Sequence, residues 1–128
     1  MAHPVFLSLS DLTDIHADQI ERYGGRPGVL DVGLLRSALA MPQAGVSGQY
    51  LHHDLFEMAA AYLYHIVQDH PFVDGNKRTG VVAAIVFLEL NGRELLCRED
   101  DLEALVLATA RGERDKTEIA AFFREHCH

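Results

Sequence analysis

Apolar residues recur along this chain at helical spacing, and Gly, Pro and Asp punctuate the segments between them. Leu12, Ile15 and Ile20, with Gln19, make the first stripe. Ser10 is its expected N-cap, with Asp11 and Asp14 in the first turn, and Gly24-Gly25 ends it. A second, short helix is expected after Asp31 (VGLLRSALAM), stopping before Pro42. Asp54 can cap a third that runs to about Asp69, ahead of Pro71. A fourth should begin near Asn76 and run to Asn91, with Gly92 as its left-handed cap. Glu99 or Asp100 opens a fifth (DLEALVLATA). Asp115 and Glu118 have the spacing of a capping box for a sixth (KTEIAAFFREH).

Two of these segments differ from the rest. MAAAYLYHIV in the third helix and VVAAIVFL in the fourth are apolar on nearly every side, the pattern of buried helices. They are expected to form the centre of the domain. Two extended pieces, Val5 to Leu7 and Glu94 to Cys97, are expected to pair as a minor β-ribbon, and His126 and His128 to lie in a mobile tail. No repeat or linker interrupts the pattern. The fold class is therefore all-α, one domain over residues 1–128 with about six helices.

Composition narrows the function. With 48% hydrophobic and 23% charged residues, the 128-residue chain can bury a core without disulfide or metal staples. Cys97 and Cys127 lack CxxC spacing and read as unpaired thiols. The longest apolar run, Val81 to Leu88, has eight residues, too few to span a bilayer. The opening MAHPVFLSLSD has no basic region and no long apolar stretch, so a cytoplasmic protein is expected. Net charge is −8, from 11 Lys and Arg against 19 Asp and Glu. Such a chain offers no basic face to nucleic acid. An anionic ligand must be held locally, where Lys, Arg and Gly converge.

They converge between the third and fourth helices, in His70-Pro-Phe-Val-Asp-Gly-Asn-Lys-Arg78. Gly75 permits a sharp turn and close backbone approach to a ligand. The N–H groups of Gly75, Asn76 and Lys77 would then open at a helix N-terminus, where the macrodipole favours phosphate. Lys77 and Arg78 add full positive charge, although cations at that end oppose the dipole unless an anion is bound. Asp74 could hold Mg²⁺, which is usually bound by one or two carboxylates plus substrate phosphates. A histidine side chain titrates near neutral pH, which suits His70 to act as a general base on a hydroxyl. Phe72 is expected to anchor the loop in the core. Base, metal ligand and phosphate nest in one loop amount to equipment for phosphoryl or nucleotidyl transfer.

HPFVDGNKR resembles the Fic signature HxFxDGN, followed by a small residue or Lys and then Arg, and its Lys variant is similar to the Doc (death-on-curing) branch. YGGRPGVLDVGLLRSALAMPQ, from Tyr23 to Gln43, and FLELNG, from Phe87 to Gly92, also resemble Doc-family segments. The likeness spans roughly residues 5 to 95. It implies a compact helical toxin of a type II toxin–antitoxin pair. Such a toxin moves phosphate from ATP to a protein hydroxyl, for the Doc branch a threonine of elongation factor Tu, and so inhibits translation. His70 would take the catalytic role, Asp74 the Mg²⁺ role, and Gly75, Asn76, Lys77 and Arg78 the phosphate-binding turn.

The departures from the pattern carry information. AMP-transferring Fic enzymes have a second Gly where this chain has Lys77, and another Arg where it has Val81. In the Doc branch these changes accompany an inverted nucleotide, which implies kinase rather than AMP-transferase chemistry. No segment fits the self-inhibitory [S/T]xxxE[G/N] helix. The nearest is Thr109 to Arg114 (TARGER), so inhibition is expected in trans from an antitoxin. Three alternatives remain: a protein AMP transferase, a non-catalytic binding module, and a metal-dependent phosphohydrolase using His52-His53-Asp54. For Asp54 the N-cap is a competing role, and His65 with Asp69 reads as a helix-surface pair.

Overall fold

The two apolar segments become adjacent helices at the middle of an all-helical domain. In chain order, the computed structural model, which describes residues 3–128, contains α1 (Leu9–Tyr23), α2 (Val32–Ala40) and a 3₁₀ turn (Met41–Gln43). A short antiparallel ribbon follows, β1 (Gly45–Val46) and β2 (Gln49–Tyr50), then α3 (Leu55–Asp69), α4 (Asn76–Leu90), α5 (Glu99–Ala110) and α6 (Lys116–His126). Around α3 pack α2, α4, α5 and α6, while α1 closes over α4.

Small residues set the α3–α4 distance. Ala59, Ala60 and Ala61 on α3 and Ala83 and Ala84 on α4 are fully buried, and Gly80 lies against Val67 and the Leu63 carbonyl. A Cβ at Gly80 would stand 2.9 Å from Val67 Cγ2, so this glycine is a close-packing position. Tyr62 and Phe87 fill the core beside it. The Tyr62 hydroxyl accepts from the Leu7 N–H at 2.9 Å, which ties the N-terminal segment to α3. The two helices are not equally enclosed. Val81, Val82 and Ile85 of α4 are only half-buried, because that face looks into a groove against α5.

Capping chemistry sets most helix starts. Asp31, Asp54 and Asp115 cap α2, α3 and α6 through their carboxylates, and Glu118 completes the capping box with Asp115. At α1 the cap is Ser8 rather than Ser10. Asp11 stands three residues after Ser8 and returns the bond, Ser8 N–H to Asp11 Oδ2 at 2.8 Å, which Thr13 does not do for Ser10. At the other end of α4, Gly92 has φ +82° and the Arg93 N–H reaches the Leu88 carbonyl, as expected of its cap.

The expected ribbon between Val5–Leu7 and Glu94–Cys97 does not form. Asn91 takes the place of a strand for Val5, accepting from its N–H at 2.8 Å and donating to its carbonyl at 2.9 Å. Glu94 and Leu96 bond instead to His128 and His126, with a bridge between Leu95 and Cys127. The last residues are thereby paired rather than a free tail. His126 closes α6 and bonds the Phe122 carbonyl.

Candidate active site

Pro71 prevents α3 from continuing in right-handed helix, and the residue that caps it turns out of line. His70 sits at φ +50°, ψ +57°, one of two non-glycine residues with positive φ among the described residues. That conformation costs on the order of 1 kcal/mol and is typical of residues held in place for a task. The side chain is exposed at the mouth of a recess.

Behind His70 the loop is anchored twice. Phe72 is buried, and its ring stacks on His16 of α1 with centroids 3.9 Å apart and planes 5° from parallel. Asn76 then clamps the Phe72 backbone, accepting from its N–H and donating to its carbonyl, both at 3.0 Å. The Asn76 side chain is therefore buried, and only its backbone N–H is left for an anion. A third restraint comes from the segment between α1 and α2. Leu30 and Asp31 donate to the Pro71 carbonyl, Val73 donates to that of Gly28, and Val29 bridges Phe72.

Between these anchors Asp74 and Gly75 stand at the surface. Asp74 Oδ2 accepts from the Arg26 N–H at 3.2 Å and Oδ1 from the Gly75 N–H at 2.9 Å. Those bonds, aided by the charges of Arg78 and Arg26, hold its carboxyl below the usual carboxylate range. Gly75 takes φ +74°, as its permissive backbone allows, and begins α4 with no side-chain cap. The first turn of α4 is thus open where α1, α2, α3 and α6 are each closed by a carboxylate or hydroxyl. An uncapped N-terminus flanked by cations is suited to phosphate.

Lys77 is exposed and has no carboxylate partner among the described residues. Arg78 is half-buried, donates to the Gly24 carbonyl at 2.8 Å and lies over the Tyr23 ring. The residues expected to act together do share one cavity. His70, Asp74, Gly75, Asn76, Lys77 and Arg78, with Val73, line a recess of ≈ 440 Å³. Lys77 and Arg78 also line the end of a longer groove of ≈ 590 Å³ between α1, α4 and α5, whose floor includes Val81.

Other candidates fall elsewhere. Asp54 Oδ1 accepts from the Glu57 N–H and Oδ2 from Arg124, both at 2.8 Å, so cap and ion pair occupy the carboxylate. His52 is buried and meets Lys116 on α6, as does His65, whose Nε2 is 3.1 Å from Lys116 Nζ. Burial and that ammonium push His65 down to about 4. His65 also faces Asp69 at 3.8 Å, the expected helix pair. No group of three or more His, Cys, Asp or Glu is placed to hold a metal among the described residues.

Sequence reasoning missed His16 and the Gly25–Arg26 backbone. His16 is one polar residue on an amphipathic helix, and the carbonyl it bonds lies 58 positions away. The glycines mark a helix stop, and nothing local shows that the N–H after them reaches Asp74.

The fold and the loop define the class. The Fic/DOC family profile matches residues 6–88, and the chain belongs to the Fic/Doc family. Among particular proteins, it is 35% identical over 118 residues to the protein kinase doc of Escherichia phage P1, covering 92% of each chain. It is also 42% identical over 101 residues to the toxin Doc of Mycolicibacterium smegmatis, covering 77% of this chain and 78% of that one.

Proposed function

We propose that this protein is the toxin of a type II toxin–antitoxin pair and a protein kinase. It transfers the γ-phosphate of ATP to a Thr or Ser hydroxyl of the translation machinery. The observation that carries the reading is the shared recess, in which an exposed His, an ionised Asp and an uncapped, cation-flanked helix N-terminus meet. The kinase and toxin names of the two relatives point the same way.

In this mechanism the N–H groups of Asn76, Lys77 and Arg78 cradle the nucleotide phosphates, and the Lys77 and Arg78 side chains offset their charge. His70 takes the proton of the attacking hydroxyl. The hydroxyl oxygen forms a bond to the γ-phosphorus, the bond to the bridging oxygen breaks, and ADP leaves. The donor set suits Mg²⁺. Asp74 supplies one ionised, exposed carboxylate, enough for a cation that completes its shell with phosphate oxygens and water. When bound, the ion would neutralise phosphate charge.

Lys77 and Val81 favour γ-phosphate over AMP transfer. Both face the groove that continues from the recess, so a bulky cation and a missing Arg there alter how a nucleotide can lie. Inhibition in trans by an antitoxin fits the lack of a self-inhibitory segment. Within Thr109–Arg114 the Thr109 hydroxyl bonds the Leu105 carbonyl, and none of these residues lines the recess. A target in translation, elongation factor Tu by family resemblance, makes the site of action cytoplasmic.

The test is incubation with elongation factor Tu, Mg²⁺ and ATP labelled at either the γ- or the α-phosphate. Label from γ alone, abolished by His70→Ala, is the expected result. Label from α alone would make the protein an AMP transferase. No label from either, with His70→Ala as harmful to cells as the parent, would end the catalytic reading.

A further inference from the structure

His16 lies on α1, away from the linear motif, yet it makes a single directed contact with the motif loop. Its Nε2 is 2.8 Å from the Asp74 carbonyl oxygen. A carbonyl can only accept, so Nε2 carries the proton and donates. The ring is buried and held flat on Phe72, which leaves it little freedom to aim elsewhere.

The bonded carbonyl belongs to the Asp74–Gly75 peptide. A peptide unit is planar, and its C=O and N–H point in opposite directions. With the oxygen turned toward α1, the Gly75 N–H must face away from it, and there it meets Asp74 Oδ1 at 2.9 Å. One orientation of one peptide plane thus sets both the carboxylate and the first residue of the α4 N-terminus. An Asp-Gly peptide flips easily, because glycine accepts φ of either sign. The flipped form would aim a carbonyl dipole into the recess, against any phosphate, and would release Oδ1.

We infer that His16 is a positioning residue for phosphate transfer, whose Nε2–H locks the Asp74–Gly75 peptide with its carbonyl turned away from the recess and its N–H on the Asp74 carboxylate. This rests on the kinase reading above. Its contribution is orientation rather than bulk, so the donor and the ring separate experimentally. His16→Phe keeps an aromatic ring on Phe72 and removes the donor, whereas His16→Gln replaces Nε2–H with an amide N–H at similar reach. His16→Leu removes the donor in a smaller side chain, should Phe fold poorly.

The three variants are compared by labelled-phosphate transfer and by amide hydrogen exchange across residues 70–78. Loss of the donor is expected to lower kcat by about tenfold or more with a smaller change in KM, and Gln to recover most of it. Exchange at Gly75 through Arg78 should rise in the donor-less variants and stay near the parent's in His16→Gln, while the second half of α4 is unchanged. Parent-like kcat and exchange without the donor would overturn the inference. So would Gln and Phe being equally impaired, which would reduce His16 to packing. If the parent itself transfers no phosphate, the kinase reading fails alone. The exchange comparison then decides whether His16 locks the peptide.

Discussion

Gly25 and Asp74 come so close that a methyl group on Gly25 would stand 2.9 Å from Asp74 Oδ2. Gly25 also holds φ +120°, a conformation that residues with a Cβ rarely adopt. Gly25→Ala is therefore expected to displace the Asp74 carboxylate and weaken its bond from the Arg26 N–H. Transfer activity should fall by about tenfold to a hundredfold, the scale of a misplaced catalytic group. Steady-state kinetics, paired with thermal unfolding to gauge strain, checks this.

Asn76 grips Phe72 at both backbone groups, and all three polar partners are buried. Removing the amide leaves a buried N–H and C=O unpaired. Asn76→Ala should lower stability by about 1–3 kcal/mol. Asn76→Asp should be no better, because its second oxygen would face the Phe72 carbonyl. Denaturant unfolding of both variants measures the loss.

Contiguity explains what could be read in advance. His70, Asp74, Gly75 and Lys77 lie between the end of α3 and the first turn of α4, so their meeting in one recess needed only that the two helices be recognised. Their continuous apolar segments, with Asp54 before α3 and Gly92 after α4, made those helices plain, since these signals are local. The misplaced features depend on distant partners. Val5 bonds Asn91, and Glu94 bonds His128, neither of which leaves a mark in nearby residues. Asn76 has a different lesson. Its position in the motif was evident, but whether its amide faces ligand or core depends on Phe72 turning inward.

His65 supplies the acid response. The unfolded chain takes up a proton on this side chain near 6.5, whereas the folded protein resists until about 4, because of burial and then Lys116. Between those values the unfolded state binds more protons, so stability falls as pH falls through the window. Below it both states are protonated and this contribution stops changing. His52 is displaced in the same direction by burial and Lys116, with Glu57 opposing the shift there as Asp69 opposes it at His65. His65→Gln keeps an acceptor for Lys116 but cannot titrate. It should flatten the decline, as measured by urea unfolding at a series of pH values between 6.5 and 4.

On the kinase reading proposed above, Lys77 and Val81 are expected to decide which phosphate is transferred. They lie one helical turn apart at the start of α4, and both border the groove into which the recess opens. A Gly at 77 would remove a flexible cation from the anion turn, and an Arg at 81 would add a bidentate phosphate donor further along the same wall. Phosphates drawn toward residue 81 would carry the γ-group away from His70 and bring the α-group nearer. Lys77→Gly with Val81→Arg should therefore cut γ-label transfer by about tenfold or more, the scale of losing one donor to the transition state. α-Label incorporation should rise from background in the same reactions. Each single variant should weaken γ-transfer without creating α-transfer, because one leaves the old cation and the other supplies no new clamp. Loss of γ-transfer in the double variant with no α-label would mean that position 81 does not reach the nucleotide.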